Sequence, residues 1–556
     1  MAARTLLSGE GVDSIELVLA MLLAVLASGY LVRVLPFSLP LPLMQIAIGS
    51  AISGVLKHGV VLDPEVFFLL FLPPLLFLDG WRIPKDGLLR DKTVILELAL
   101  GLVVFTVVGA GFLIHWLIPS MPLAVAFALA AIVSPTDPVA VSSITARVSI
   151  PKRLMHILEG ESLLNDGSGL VCFRFAVAAA MTGTFSLASA SLSFLWVALA
   201  GLGIGVIFTL AVSLVQRWLS RQFGEESGSS ILLSLLIPFG AYLLAEKVQA
   251  SGILAAVAAG ITTSYVELGG RALATTRLRR GAVWSTVQLT LNGVMFVLLG
   301  EQLPGILRGA AVSVEQSGHL NSWCLVVYAL AINVGLGVLR FVWVWVSMRL
   351  TLLRARHRGE RMSKPHWRII LAMSLAGVRG AITLAGVMTL PLLMPNGTAF
   401  PARDLTIFLA TAVILLSLLA ASFGLPALLK GLVLPSEPAA QREEDQARHA
   451  AATVAIAAVE KTQQELSQNS VAADADIYTN TATRVLAFYQ RRLDCDSPEG
   501  DAAQLRKADE VERTLRLAAL QAERAEIFNL TRQQRISDET SRKLIRELDL
   551  AEARYR

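Results

Sequence analysis

The residues best suited to chemistry form one polar stretch inside a long apolar segment, residues 156–181. It contains Glu161, Ser162, Asn165 and Asp166, and two pairs of these residues are four positions apart. This spacing predicts that all four side chains share one face of a helix. A charged side chain at membrane depth raises the free energy of insertion by about 2.5–3.5 kcal/mol and is by default a functional candidate. Carboxylate, hydroxyl and amide oxygens together favour binding of a small hard cation.

A second polar segment, residues 134–138, places Thr136 and Asp137 between Pro135 and Pro138. Each proline lacks an N–H group, so the carbonyl four residues earlier loses its helical partner. Asp137 and Pro138 resemble an N-cap and a first helical residue, which predicts that a second half-helix begins there. Unpaired carbonyls are tolerated in a bilayer only inside protein or beside a cavity, where they can bind a cation. The alternative is a simple proline kink.

A third candidate, Arg379, lies between Gly377 and Gly380 in another apolar segment. Arginine cannot lose its charge by deprotonation, so it needs a carboxylate or helix carbonyls within the membrane. We predict that Arg379 pairs with Glu161 as a structural ion pair. This pairing would leave Asp166 free. The flanking glycines indicate a second interrupted helix.

Three further charged residues lie near or within apolar segments. Asp79, which follows Pro73-Pro74, is either a carboxylate in a cation funnel or an interfacial charge. Arg174 is expected to shape an outer path or to pair locally, and Arg340 to bond carbonyls of a neighbouring span. We predict structural roles for both arginines.

Composition identifies the class of protein. Hydrophobic residues make up 54% of the 556 residues, charged residues only 16%, and the mean hydropathy is +0.61. Soluble domains carry about a quarter charged residues, so the sequence predicts an all-α polytopic membrane protein. The three cysteines are far apart, which argues against a disulfide framework or a cysteine metal site. No basic stripe with interleaved aromatic residues indicates nucleic-acid binding.

Hydropathy predicts about thirteen transmembrane helices. The candidate spans are residues 15–35, 40–56, 65–79, 93–117, 122–146, 156–181, 193–216, 229–246, 252–267, 283–301, 323–348, 367–391 and 404–429. If spans 1–6 and 8–13 are inverted repeats, the fifth and twelfth occupy equivalent positions. Those are the two spans interrupted by glycine or proline, the pattern that marks a transporter's binding site.

Loop charges predict the orientation. Twenty-one basic residues lie in loops on one side of the thirteen spans and five on the other, which places the N-terminus outside and the C-terminal tail in the cytoplasm. The first span follows acidic residues, so we expect a retained helix rather than a cleaved signal peptide. We assign residues 1–432 to a transmembrane domain and 433–556 to a cytoplasmic region, with helices near 439–468, 478–493 and 500–550 and a turn from Asp494 to Gly500.

The segments 134–138, 161–167 and 377–381 together resemble the NhaP/NHE branch of sodium/proton exchangers, the monovalent cation:proton antiporter-1 family. The resemblance covers about residues 15–430. It implies thirteen spans, a homodimer, and crossed half-helices at spans five and twelve.

The resemblance also implies roles for individual residues. Asp166, Ser162 and Thr136 would hold the cation, Asn165 would support them, and Glu161 would meet Arg379. We include Asp137 among the cation and proton ligands. Relatives with an Asn-Asp pair are usually electroneutral, so electroneutral exchange is expected. Many relatives carry a glutamate where this chain has Leu78, which argues against Asp79 as a direct ligand.

The sequence therefore predicts a secondary transporter in the cell (inner) membrane that exchanges a monovalent cation, preferably Na⁺ and otherwise Li⁺ or K⁺, for H⁺ and serves pH regulation. Its carboxyl at Asp166 would bear a proton or help bind one cation, not both. No cofactor and no enzymatic activity is expected. The alternatives are a cation channel and an intramembrane aspartyl-type enzyme built on Asp137 and Asp166.

Overall fold

The computed structural model describes residues 9–35, 39–56, 64–83, 95–137, 141, 152–183, 187–224, 226–267, 274–316, 323–357, 367–430, 438–468, 475–494 and 499–555. These residues are almost entirely helical, and their only β-type pairing is a single bridge between Leu393 and Ala399. The chain divides into two compact units, Met1–Leu432 and Val433–Arg556.

The first unit contains a helix in each of the thirteen predicted spans. The helices are α1 (Gly9–Val34), α2 (Leu41–Leu56), α3 (Pro64–Arg82), a π-helical turn (Glu97–Leu102) that continues as α4 (Val103–Leu117), α5 (Leu123–Val133), α6 (Lys152–Thr182), α7 (Leu187–Phe223), α8 (Ser227–Lys247), α9 (Gly252–Glu267), α10 (Ala274–Gln316), α11 (Trp323–His357), α12 (Trp367–Leu375), α13 (Ala381–Met388) and α14 (Arg403–Leu429).

Eight of the described helical segments are long and apolar enough to cross a membrane, and three shorter helices are also apolar. The all-α polytopic architecture is confirmed. The number of helices that cross the bilayer stays a prediction.

Helix packing separates the first unit into two groups. One group contains α1–α3 and α7–α10, and the other contains the π-turn, α4–α6 and α11–α14. Glycines allow close approach within the first group: a Cβ on Gly260 of α9 would collide with the Phe77 carbonyl of α3. Between the groups, α10 contacts α14, while α3 and α10 contact α13. The functional residues lie at this boundary.

The second unit contains α15 (Pro438–Gln468), α16 (Ala475–Asp494), α17 (Glu499–Arg532) and α18 (Asp538–Tyr555). The prediction of one helix over 500–550 is wrong, because the chain turns after α17. Gln534 adopts φ 54°, and the N–H of Arg535 donates to the Leu530 carbonyl at 3.0 Å, which closes the helix end. Ser537 then caps α18 by accepting the Thr540 N–H at 3.2 Å. Of the predicted 494–500 turn, Asp494 ends α16 and Glu499 begins α17, while 495–498 lie outside the described residues.

Candidate functional site: an acidic cavity at two crossed chain interruptions

Two helices break at the boundary between the groups, and their extended segments meet. Helix α5 ends at Val133, and the chain is non-helical from Pro135 to Asp137. Helices α12 and α13 are separated by a non-helical segment, residues 377–380. The N–H of Asp137 donates to the carbonyl of Val378 at 2.7 Å, so the two segments are bonded to each other. The predicted pair of interruptions is therefore present. The predicted restart of a half-helix at Pro138 lies outside the described residues.

Each interruption frees a carbonyl that an arginine binds. Because the Asp137 N–H turns to Val378, the Val133 carbonyl has no helical donor, and Arg379 Nε donates to it at 2.9 Å. Arg379 Nη1 also donates to the Gly377 carbonyl. On α12 the Met373 carbonyl receives Arg340 Nε at 3.1 Å. Buried carbonyls need donors in an apolar environment, so the two arginines stabilise the broken backbone.

The predicted ion pair between Glu161 and Arg379 is wrong. Glu161 is fully buried and pairs with Arg340, whose Nη1 and Nη2 donate to Oε1 and Oε2 at 2.5 and 2.9 Å. The error has a physical reason. The guanidinium of Arg379 is taken by carbonyls of the two interruptions, whereas Arg340 reaches Glu161 from the neighbouring helix α11. The expected carbonyl bond of Arg340 is present as well.

The four polar residues of α6 divide into two stripes rather than sharing one face. Glu161 and Asn165 point into the protein around Thr136: Asn165 Nδ2 donates to Thr136 Oγ1 at 3.1 Å, and Thr136 Oγ1 donates to Glu161 Oε1 at 3.3 Å. Ser162 and Asp166 line a cavity on the adjacent face. Asn165 therefore holds Thr136 from behind.

The cavity lies where the two bonded interruptions meet α3, α6 and α10. The volume open to the centres of water molecules is about 40 Å³, and one water needs roughly 10–15 Å³ of such volume. The lining residues are Leu75, Asp79, Pro135, Thr136, Asp137, Ser162, Asp166, Gln288, Asn292, Met295, Gly380, Ile382 and Thr383. The described lining thus contains three aspartates and no lysine, arginine or histidine, and it has room for a small ion with little water.

Asp166 is the most enclosed of the three aspartates, with 5% of its surface exposed. Across the described part of the chain, no side chain forms an ion pair or hydrogen bond with its carboxylate. Asp137 packs directly on Gly380, where any Cβ would collide with its carboxylate. Among the described residues, no three Asp, Glu, His or Cys side chains converge as a metal centre.

Two further charged residues predicted from the sequence, Asp79 and Arg174, lie at different places in the first unit. Asp79 lines the cavity, and its role as a funnel carboxylate stays a prediction. Arg174 pairs locally with Glu246 at 3.4 Å. Gln288 and Thr383 also line the cavity and were not predicted from the sequence. Gln288 could have been found from its position four residues before Asn292, because this spacing puts two amides on one face of an apolar helix.

Comparison with known proteins adds independent information. The family described as "Sodium/hydrogen exchanger, transmembrane" matches residues 19–431. The chain is 43% identical over 539 residues to the Na(+)/H(+) exchanger YjcE of Escherichia coli (strain K12), covering 96% of this chain and 98% of that protein. It is also 43% identical over 417 residues to the sodium, potassium, lithium and rubidium/H(+) antiporter of Bacillus pumilus (strain SAFR-032), covering 74% of this chain and 61% of the relative.

The fold matches a solved structure, that of the sodium proton antiporter MjNhaP1 from Methanocaldococcus jannaschii at pH 8. The TM-score is 0.56 at 18% identity, covering 76% of this chain and 100% of that chain. At this identity the match concerns the fold alone.

Proposed function

The chain belongs to the sodium/hydrogen exchanger family and exchanges a monovalent cation for protons across a membrane, and from this premise we propose that the exchange takes place by competition at Asp166. The observation that carries the proposal is a contrast in one helix. Glu161 is neutralised by Arg340, whereas Asp166 lines the cavity and has no cationic partner among the residues that the structure describes. A buried carboxylate without a partner is strongly unfavourable. A proton or a bound cation would each neutralise it, and each would exclude the other.

Na⁺ is the proposed cargo, held by Asp166, Ser162 and Thr136. All three residues line the same small cavity, their side chains carry carboxylate or hydroxyl oxygens, and hard cations prefer oxygen ligands. Asp137 adds a second carboxylate at the crossed interruptions. Asn165 supports the site through its bond to Thr136. Li⁺ and K⁺ belong in the same assay, because the Bacillus pumilus relative is named for sodium, potassium, lithium and rubidium.

The experiment uses purified protein in vesicles with an imposed pH gradient. Adding Na⁺, Li⁺ or K⁺ outside should dissipate the gradient with the natural chain and leave it intact with Asp166→Asn. Asp404→Asn is the matched control, because that carboxylate is 57% exposed at the start of α14, outside the cavity. Normal exchange by Asp166→Asn would overturn the proposal. Equal loss of exchange in Asp166→Asn and Asp404→Asn would show that the loss is not specific to the cavity carboxylate and would also count against it.

Electroneutral exchange forms a further part of the proposal and separates an exchanger from a channel. Clamping the membrane potential of the vesicles should leave the exchange rate unchanged. A channel would instead give a cation flux that is uncoupled from the pH gradient. Asp137 and Asp166 do share one cavity, as an aspartyl-type enzyme would require, yet the family is one of transporters.

The arrangement in the membrane is also proposed. The protein is a multi-pass membrane protein, and we place it in the inner membrane as a homodimer, with the N-terminus outside and the C-terminal tail in the cytoplasm. The orientation is supported by the excess of basic residues in loops on one side of the predicted spans. Its physiological role would be pH regulation.

A further inference from the structure

The central cavity lies between two larger openings. Along α3, Phe68 and Leu69 line one opening, Leu75 and Asp79 line the cavity, and Arg82 lines the second opening. The volumes of the two openings are about 450 Å³ and about 560 Å³. Because a helix rises about 1.5 Å per residue, this order places the three spaces in sequence along α3.

The barriers on the two sides differ in chemistry. On the first side, α3 places Phe71 and Leu72 between the opening and the cavity, and both side chains are buried. On the second side the barrier includes a polar bridge. Arg82 Nη1 donates to Gln288 Oε1 at 2.5 Å, and Arg82 Nη2 donates to Ser285 Oγ at 3.1 Å.

Gln288 connects the two spaces through its bond to Arg82. It lines the Asp166 cavity, while its amide oxygen is held by an arginine that lines the second opening. Ser285, one turn earlier on α10, also lines the second opening. The bridge therefore withdraws an oxygen ligand from the cavity and puts a permanent positive charge on the route that a cation would follow.

We propose that Arg82, bonded to Gln288 and Ser285, is a side-chain gate between the Asp166 cavity and the opening lined by Trp81, Arg82, Ser264, Glu267, Arg277, Gly281 and Ser285. When the bridge breaks, the positive charge leaves the route and the Gln288 oxygen is released toward the entering cation. Because α3 and α10 belong to the same helix group, the gate opens by side-chain rotation and needs no movement between groups. This role rests on the proposed exchange at Asp166.

The experiment measures access to the cavity directly and requires no transport. Cys172, Cys324 and Cys495 are replaced by serine, and Met295→Cys puts a single thiol in the cavity lining. Ag⁺, a membrane-impermeant and thiol-reactive cation small enough for the cavity, is added to inside-out and to right-side-out vesicles. Arg82→Ala should accelerate labelling by about tenfold, the equilibrium shift expected on loss of a charge-assisted bond. Arg82→Lys should give a smaller acceleration, because lysine keeps the charge but loses the two-pronged geometry.

Arg277→Ala is the matched control, since it removes the same charge from the same opening, and neither described bond of the bridge involves Arg277. Acceleration by Arg82→Ala in inside-out vesicles, absent for Arg277→Ala, supports the gate. Equal acceleration by both variants, or none by Arg82→Ala in either orientation, overturns it. Loss of exchange in Asp166→Asn is a separate result, so failure of the gate and failure of the exchange site remain distinguishable.

Discussion

Glu161 and Asp166 lie five residues apart on one helix, and both are buried, yet their surroundings differ completely. Glu161 is 0% exposed and receives two hydrogen bonds from Arg340. Asp166 is 5% exposed and lines a cavity with two further aspartates. Burial alone therefore does not identify a transport carboxylate. The distinguishing property is whether the protein itself supplies the compensating charge.

The difference determines what each residue can do. An arginine is always protonated in a protein, so Glu161 is compensated at every physiological pH and has no need of a cargo ion. Breaking such a buried pair from one side leaves an uncompensated charge. At Asp166 no described side chain supplies a compensating charge, so under the proposed mechanism that charge comes from solution and can be exchanged. One helix thus combines a fixed charge with an exchangeable one.

Removing Arg340 should have the largest effect on stability. Arg340→Met leaves Glu161 buried without its ion-pair partner, which destabilises by about 3–5 kcal/mol. We expect little monodisperse protein after extraction into detergent. The double variant Glu161→Gln, Arg340→Met should recover much of it. Equal yields from the single and double variants would contradict the pairing.

Removing Arg379 should have a smaller effect that does not depend on Glu161. Arg379→Met leaves the Val133 and Gly377 carbonyls without their donors, and each unsatisfied buried group destabilises by about 1–3 kcal/mol. Melting in detergent should shift downward, and adding Glu161→Gln should give no rescue. Rescue comparable to that of the Arg340 variant would restore the pairing inferred from sequence.

Asn165 bonds to Thr136, which contacts Glu161 on one side and lines the Asp166 cavity on the other. Removing the Asn165 amide should have a modest effect on cation affinity. Asn165→Ala loses one hydrogen bond to Thr136, worth about 0.5–1.5 kcal/mol. The apparent KM for Na⁺ should rise while the protein stays folded, because Thr136 is less well positioned. An unchanged KM would show that the Asn165–Thr136 bond does not affect cation binding in the cavity.

The smallest effect is expected at Arg174, whose side chain is 60% exposed. Arg174→Ala breaks the ion pair with Glu246, and exposed pairs contribute only about 0.2–1 kcal/mol. Melting and exchange should both match the natural chain. Arg174 and Glu246 both line the first opening. A large loss of exchange would therefore show that this opening takes part in exchange.

Much of this molecule could be predicted from sequence because its strongest signals are local. Apolar length predicts the helices, and the prolines of 134–138 with the glycines around Arg379 predict where two of them break. The polar residues of α6 predict which helix carries the site. These properties depend on backbone chemistry within a few residues.

The partner of Glu161 could not be predicted in this way. Arg340 and Arg379 are both buried arginines in apolar helices, and the choice between them depends on how α11 and α12 pack against α6. The assignment of Gln288 to the cavity likewise depends on the packing of α10. In the tail, the break at 533–537 uses Gln534 rather than glycine at the left-handed position, so the usual terminator was absent.

The most direct test of the central claim is the apparent affinity for Na⁺ as a function of pH in reconstituted vesicles. If a proton and the cation compete for Asp166, the apparent KM for Na⁺ should rise by about tenfold per pH unit on the acid side, while the maximal rate at saturating Na⁺ stays constant. An apparent KM that is independent of pH would contradict the account.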